Sequence, residues 1–241
     1  MHESHFSPFP QTRWSIVVEA GGSQTEGARR AMEDICQSYW KPLYAFIRRN
    51  GFSRHDAEDL TQDFLSRLME KDSLSRVGEE KGKLRTFLLA ALKNFITDFR
   101  RQQGALKRGG GKVIVSIDKE MAESHFAAEP ADGNTPESLF AKHWAQTVLE
   151  SVFDELETES EAAGKGDQFA VLCPFLQWNS GEGTYVEAGE KLGMKEGAIK
   201  VAVYRLRKRY REIFRARIME TVADEKEFDE EIAFFFNALE Q

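Results

Sequence analysis

TYVEAGEKLGMKEGAIKVAVYRLRKRY, residues 184–210, is the stretch on which the fold turns. It reads as two amphipathic helices about a glycine. Ala188 is small where two helices must approach closely, Leu192 closes the first helix on its core side, and Gly193 supplies the positive φ of a sharp turn. Ile199, Val203 and Leu206 then recur at four and three residues, an inner stripe for the second helix. Lys200, Tyr204, Arg205, Arg207 and Lys208 are left on the outer face, with Lys195 where that helix begins. A basic helix presented after a tight turn is what reading of a DNA major groove requires. Lys200 and Arg205 can hydrogen-bond base edges, whereas Arg207, Lys208 and Arg211 suit phosphates, which position a protein without specifying sequence. The plainer alternative is a helical hairpin with a cationic solvent face.

Outward from this stretch the pattern stays helical. Residues 27–50 carry an apolar stripe through Ile35, Tyr39, Leu43, Phe46 and Ile47, with a bend allowed at Pro42 and a stop at Gly51. Ser53 is an N-cap for the next helix, with Asp56 three residues on. Ala57, Leu60, Phe64, Leu65 and Leu68 form its inner face and leave Asp56, Glu58, Asp59, Gln62 and Asp63 on the remainder. A third helix spans 85–103, with Phe87, Leu88, Ala91, Leu92, Phe95, Ile96 and Phe99 inside. Residues 104–137 break the periodicity with Gly109-Gly-Gly111, Pro130, Gly133 and Pro136 and read as a partly extended linker, whose Lys112–Ile117 segment is the best strand signal in the chain. Helices resume at Thr135-Pro136 and run to about residue 161, then over 169–178, 185–192, 195–221 and 227–239, with a loop at 179–183. The expected fold is all-α: two small helical domains joined by a flexible linker, the second holding the helix-turn-helix.

The 241 residues suit one large domain or two small ones, and 41% hydrophobic content is enough for real cores. The net charge of −7 conceals an alternation. Residues 76–112 hold ten basic side chains against three acids, and 191–217 hold ten against two. Residues 117–165 hold twelve acids against three lysines, and 220–241 hold eight against one. Two separated basic blocks favour a polyanion such as nucleic acid over ordinary solvated faces, because cations within a Debye length act together.

Other classes fare worse. No segment approaches the length of a transmembrane helix, and the first eleven residues lack the pattern of a secretory leader, so a cytoplasmic protein is expected. Cys36 and Cys173 lie far apart with no CxxC pair, which argues against a disulfide framework or a cysteine zinc site. None of the five histidines sits in an HExxH pattern or beside a cysteine, and no nucleophile elbow or phosphate loop occurs. Gly109-Gly-Gly111 between Lys107, Arg108 and Lys112 lacks the Lys-Ser/Thr ending of a P-loop. Neither catalysis by this chain nor a metal or small cofactor is expected.

With both halves in view, the sequence resembles a bacterial RNA polymerase sigma factor of the extracytoplasmic-function (ECF) group, over about residues 12–241. Tyr39-Trp-Lys-Pro-Leu-Tyr-Ala-Phe-Ile-Arg-Arg49, followed by Asp56-Ala-Glu-Asp-Leu-Thr-Gln-Asp-Phe64, is similar to the sigma helix that docks on the clamp coiled coil of the polymerase. The resemblance makes Asp56, Glu58, Asp59, Gln62 and Asp63 the polar side of that contact. Gly82–Arg101 resembles the promoter-melting helix, which captures an unstacked base of the minus-ten element. It puts Lys93, Asn94 and Asp98 near base-reading positions and Arg100 and Arg101 on phosphates, with Phe87 and Phe95 better read as core. The helix-turn-helix matches the domain that reads the minus-thirty-five element.

The implied partition is residues 1–104 for polymerase docking and melting, 105–136 for the linker, 137–220 for duplex binding and 221–241 for an acidic extension. The linker is long for a minimal ECF protein. The tail looks like the extension of a subgroup of large ECF factors. Packing is the leading role for its Phe228, Ile232, Phe235 and Phe236; the tail could also fold over the cationic recognition helix, a mild autoinhibition taken as a hypothesis, or contact polymerase. The implied partners are core RNA polymerase and promoter DNA, duplex and melted, with room for an anti-sigma factor or a regulatory kinase and none for a membrane. The rival function is a two-domain helix-turn-helix regulator that does not bind core polymerase.

Overall fold

The computed structural model describes residues 26–69, 83–103, 123, 126, 135–176, 184–222 and 226–240. Among them lie eight helices: α1 (Glu26–Arg49), α2 (Arg54–Met69), α3 (Leu84–Gln103), α4 (Pro136–Ala162), α5 (Gly166–Leu172), α6 (Tyr185–Leu192), α7 (Glu196–Met219) and α8 (Lys226–Leu239). A 3₁₀ turn, Cys173–Leu176, follows α5. No described residue is in a strand, in keeping with the all-α expectation. The Lys112–Ile117 segment, the 179–183 loop and nearly all of the linker lie outside the described residues. Among the described residues, no helix is long and apolar enough to cross a membrane.

The chain gathers into two compact units, Met1–Thr147 with Ile218–Gln241, and Val148–Arg217. In the first, α1 runs through Pro42 and ends where Asn50 N–H bonds the Phe46 carbonyl and Gly51 turns at φ 89°. Ser53 then caps α2: its hydroxyl accepts the Asp56 N–H at 3.2 Å and donates to the Asp56 carboxylate at 2.7 Å. The core joins Trp40, Leu43, Tyr44 and Ile47 of α1 to Leu60, Phe64 and Leu65 of α2 and Leu84, Leu88 and Leu92 of α3, all buried. Phe64 meets Phe95 with ring centroids 5.6 Å apart. Burial, helped by the nearby Glu33 carboxylate, raises the Cys36 thiol to about 12, so it is an inert core group.

α4 starts behind Thr135, whose hydroxyl accepts the Ser138 N–H at 3.1 Å, with Pro136 in its first turn. Its opening half belongs to the first unit. Phe140 approaches Tyr39 at 6.3 Å, and Trp144 lies between Phe234 and Phe235 of α8 at 5.7 and 5.8 Å. The two compact units divide within α4, at 147/148, and near the end of α7, at 217/218. The tail is therefore core material of the first unit, with Phe228, Phe235 and Ala238 buried and Phe236 left 54% exposed.

The second unit packs the later half of α4 with α5 and α7 through Val152, Leu156, Phe169 and Ile213. Gly164, at φ 67°, reverses the chain after α4 while Lys165 N–H bonds the Ser160 carbonyl at 2.8 Å. A second cluster, Leu172, Phe175, Ala188, Ile199 and Val203, seats α6 and α7 on the 3₁₀ turn.

Candidate nucleic-acid interface

The turn between α6 and α7 is built from local chemistry. Thr184 and Glu187 close a reciprocal capping box, with the Glu187 N–H on the Thr184 hydroxyl at 3.2 Å and the Thr184 N–H on the Glu187 carboxylate at 3.1 Å. Gly193 takes the left-handed conformation at φ 64°, φ that side chains resist. Met194 N–H returns to the Gly189 carbonyl at 2.8 Å. The closest approach falls at Gly189, one residue beyond Ala188. A Cβ there would stand 2.6 Å from the Met194 carbonyl oxygen.

With Ile199 and Val203 turned inward, α7 presents Lys200, Tyr204, Arg205, Arg207 and Lys208 outward, and Lys195 is exposed just before its first turn. Tyr204 is 63% exposed, the most open large hydrophobic side chain among the described residues. Lys200 pairs with Glu196 at 2.6 Å and lies 5.9 Å from the Tyr185 ring centroid. Lys208 approaches Glu212 at 3.9 Å. Arg207 bends back, giving two hydrogen bonds to the Phe175 carbonyl at 3.1 and 2.7 Å, so its guanidinium buttresses the 3₁₀ turn. Arg209 is held against α4 by Glu159, at 2.8 and 2.5 Å. The hydrogen bond from Arg209 draws the Glu159 carboxyl below its usual range.

On α3, Leu88, Leu92, Phe95 and Ile96 face the core and Lys93, Asn94, Asp98, Arg100 and Arg101 are all exposed. Phe95 is buried and Phe87 half-buried. Lys93 pairs with Glu137 at 2.7 Å. Arg100 donates to the Asn50 carbonyl at 2.8 Å and lies 5.3 Å from the Phe52 ring centroid. Asp98 and Arg101 approach to 3.7 Å along the helix. The start of α3 carries contacts that sequence reasoning missed. Lys83 meets Glu230 of α8 at 2.6 Å, and Arg85 meets both oxygens of Glu231 at 2.8 and 2.9 Å. Two of the tail acids, Glu230 and Glu231, thus pair with the start of α3. The signal was the adjacent pair Glu230 and Glu231, but nothing local says which basic block they meet.

The α2 face divides. Asp56 and Asp63 are exposed and Glu58 and Asp59 half-buried, whereas Gln62 is buried at 6%. Arg54 pairs with Glu58 at 3.0 Å, Arg67 with Asp63 at 3.0 Å, and His55 lies 3.8 Å from Asp59. Beside this helix, Arg48 holds Glu123 at 3.0 and 3.1 Å while Tyr44 donates to the same carboxylate. Burial alone would raise Glu123, but hydrogen bonds from Arg48 and Tyr44 bring it below the usual carboxylate range. No group of His, Cys, Asp and Glu among the described residues could hold a metal ion.

The first unit thus carries an acidic helix face on α2 and an exposed basic face on α3, and the second unit carries an exposed basic face on α7. Residues 29–105 match the family model of sigma-70 region 2. The ECF RNA polymerase sigma factor SigE of Mycolicibacterium smegmatis is 24% identical to this chain over 228 residues, covering 90% of this chain and 77% of its own length. No solved structure matches. The resemblance read from the sequence is supported on both counts: residues 29–105 match sigma-70 region 2, and nine-tenths of the chain is similar to an ECF RNA polymerase sigma factor.

Proposed function

We propose that this protein binds core RNA polymerase and directs it to promoters, acting as the specificity subunit of an enzyme whose catalytic centre lies in other chains. The observation that carries this reading is the region 2 match at residues 29–105, which falls on α2 and α3, the helices with the acidic face and the exposed Lys93–Arg101 face. Asp56, Glu58, Asp59 and Asp63 meet the polymerase clamp, and Gln62 supports them from the buried side of α2. α7 enters the major groove upstream, with Lys195, Lys200, Tyr204 and Arg205 toward base edges and Lys208 on phosphate. Arg207 acts through the turn that it buttresses. Lys93, Asn94 and Asp98 then hold an unstacked base of the opened strand while Arg100 and Arg101 track its backbone. The work belongs to the cytoplasm, with an anti-sigma factor or a kinase as the kind of partner that would control it.

The test is capture of purified core polymerase by the full-length chain beside an Asp59→Arg variant. Stoichiometric capture that falls at least tenfold in the variant is expected. Absence of capture, with tight binding to duplex DNA by the free chain, would instead make the protein a helix-turn-helix regulator independent of polymerase.

A further inference from the structure

Lys83, just before α3, and the first two residues of that helix are all engaged by the C-terminal segment. Lys83 Nζ stands 2.6 Å from Glu230, the Leu84 N–H bonds the Thr221 carbonyl at 3.0 Å, and Arg85 Nε bonds both oxygens of Glu231. α3 has no acidic residue in its own first turn, so α8 supplies the negative charge there. The two carboxylates differ in kind. Glu231 is fully buried, and the Arg85 guanidinium it grips lies 3.4 Å from the Phe234 ring centroid. Glu230 is 74% exposed, yet the lysine it holds is only 15% exposed. Anchoring of α8 is already accounted for by buried Phe228, Phe235 and Ala238 and by the Trp144 contacts. With its carboxylate open to water and screened there, the Lys83–Glu230 pair adds little to stability, so its consequence lies in the charge it removes.

We propose that α8 is an acidic guard on the melting helix: Glu231 anchors it to Arg85, and Glu230 occupies Lys83 and keeps that cation from the phosphates of a single strand. The contact is autoinhibitory and rests on the reading of α3 as the strand-binding helix. A phosphate reaching the start of α3 must displace Glu230, so the free chain binds a strand with one cation fewer than its sequence offers.

The test uses the full-length chain and fluorescein-labelled oligothymidine, with binding followed by fluorescence anisotropy over a series of salt concentrations. Glu230→Gln keeps the shape of the side chain at an exposed position and removes its charge. It is expected to bind several-fold more tightly than the parent at low salt. Its plot of log affinity against log salt should steepen by about 0.7, the increment for one additional phosphate contact on a single strand. The gain should vanish when Lys83→Gln is added, an outcome that a general loosening of α8 would not produce. Arg101→Gln separates the two ideas. If Arg101→Gln weakens binding while Glu230→Gln changes neither affinity nor slope, α3 binds strands and the guard is refuted. A gain that survives Lys83→Gln refutes it equally. If neither substitution has any effect, the assignment of α3 fails and the guard fails with it.

Discussion

Gly189 and Gly197 lie eight residues apart on α6 and α7, and alanine at each should move stability in opposite directions. A Cβ on Gly189 would stand 2.6 Å from the Met194 carbonyl oxygen and 3.7 Å from Ile199 Cγ1, whereas a Cβ on Gly197 meets nothing within 4 Å. The oxygen belongs to backbone, so no side-chain rotation relieves it. Overpacking of this kind costs about 1–3 kcal/mol. The same shift strains the Met194 N–H bond to the Gly189 carbonyl, now 2.8 Å, worth about 1 kcal/mol. Against that stands a helix-propensity gain of about 1 kcal/mol for alanine over glycine. Gly189→Ala should therefore lose about 1–3 kcal/mol net, and Gly197→Ala should gain about 0.5 kcal/mol. At roughly 4–8 °C per kcal/mol for a unit of this size, Gly189→Ala lowers the melting temperature of the helix-turn-helix unit by about 10 °C and Gly197→Ala raises it by a few degrees. Scanning calorimetry of the full-length variants checks both. A Gly189→Ala protein as stable as its parent would refute the close approach, and equal losses in both variants would reduce the effect to a generic cost of replacing glycine.

Two further outcomes follow from the first unit. Because Glu123 has a lowered pKa in the folded protein, its contribution is complete above the ordinary glutamate value and is lost as pH falls through the lowered one. Glu123→Gln should then cost about 2 kcal/mol near neutral pH, and melts at a series of acid pH values should show the two proteins converging; a gap constant with pH would contradict the assignment. Glu231→Leu should cost about 3 kcal/mol by leaving Arg85 unpaired, while Arg85→Met combined with Glu231→Leu should return to within about 1 kcal/mol of the parent, as denaturant titration of the parent, the two single variants and the double variant would reveal.

The helices were legible because their apolar spacing is strongly periodic, and their ends because glycine and hydroxyl residues stand there. Gly51, Ser53 and Gly193 do in space what their chemistry requires. What could not be read has a common cause in separation along the chain. Arg207 looks like any outward arginine until the Phe175 carbonyl, thirty-two residues away, is placed under it. Gln62 follows the polar side of α2 in the pattern, yet it is buried. α4 shows one continuous apolar stripe, so nothing local divides Trp144 from Val152, although the two belong to different units. The tail acids meet residues 146 and 147 positions away, and periodicity carries no information on such pairings.

The same partition of charge explains how a chain of net charge −7 can present cationic faces. Its acids do not neutralise the basic helices uniformly. Lys93–Glu137 and Lys200–Glu196 have both partners about half exposed, and Lys208–Glu212 at 3.9 Å is still more open. Pairs of this kind hold at most about 1 kcal/mol, which a phosphate that releases its counterions readily outbids. Arg85–Glu231 has one partner fully buried, and Arg207 bonds a backbone carbonyl; exchange there would break up the packing of α8 or of the 3₁₀ turn. The cations on the two helices therefore fall into an exchangeable set, on the faces assigned to nucleic acid, and a fixed set that orients those faces. Arginine fills both fixed positions, where a planar fork held by several hydrogen bonds is needed, whereas the exchangeable pairs are mostly lysine, a mobile point charge, joined by the open Arg101–Asp98 pair at 3.7 Å.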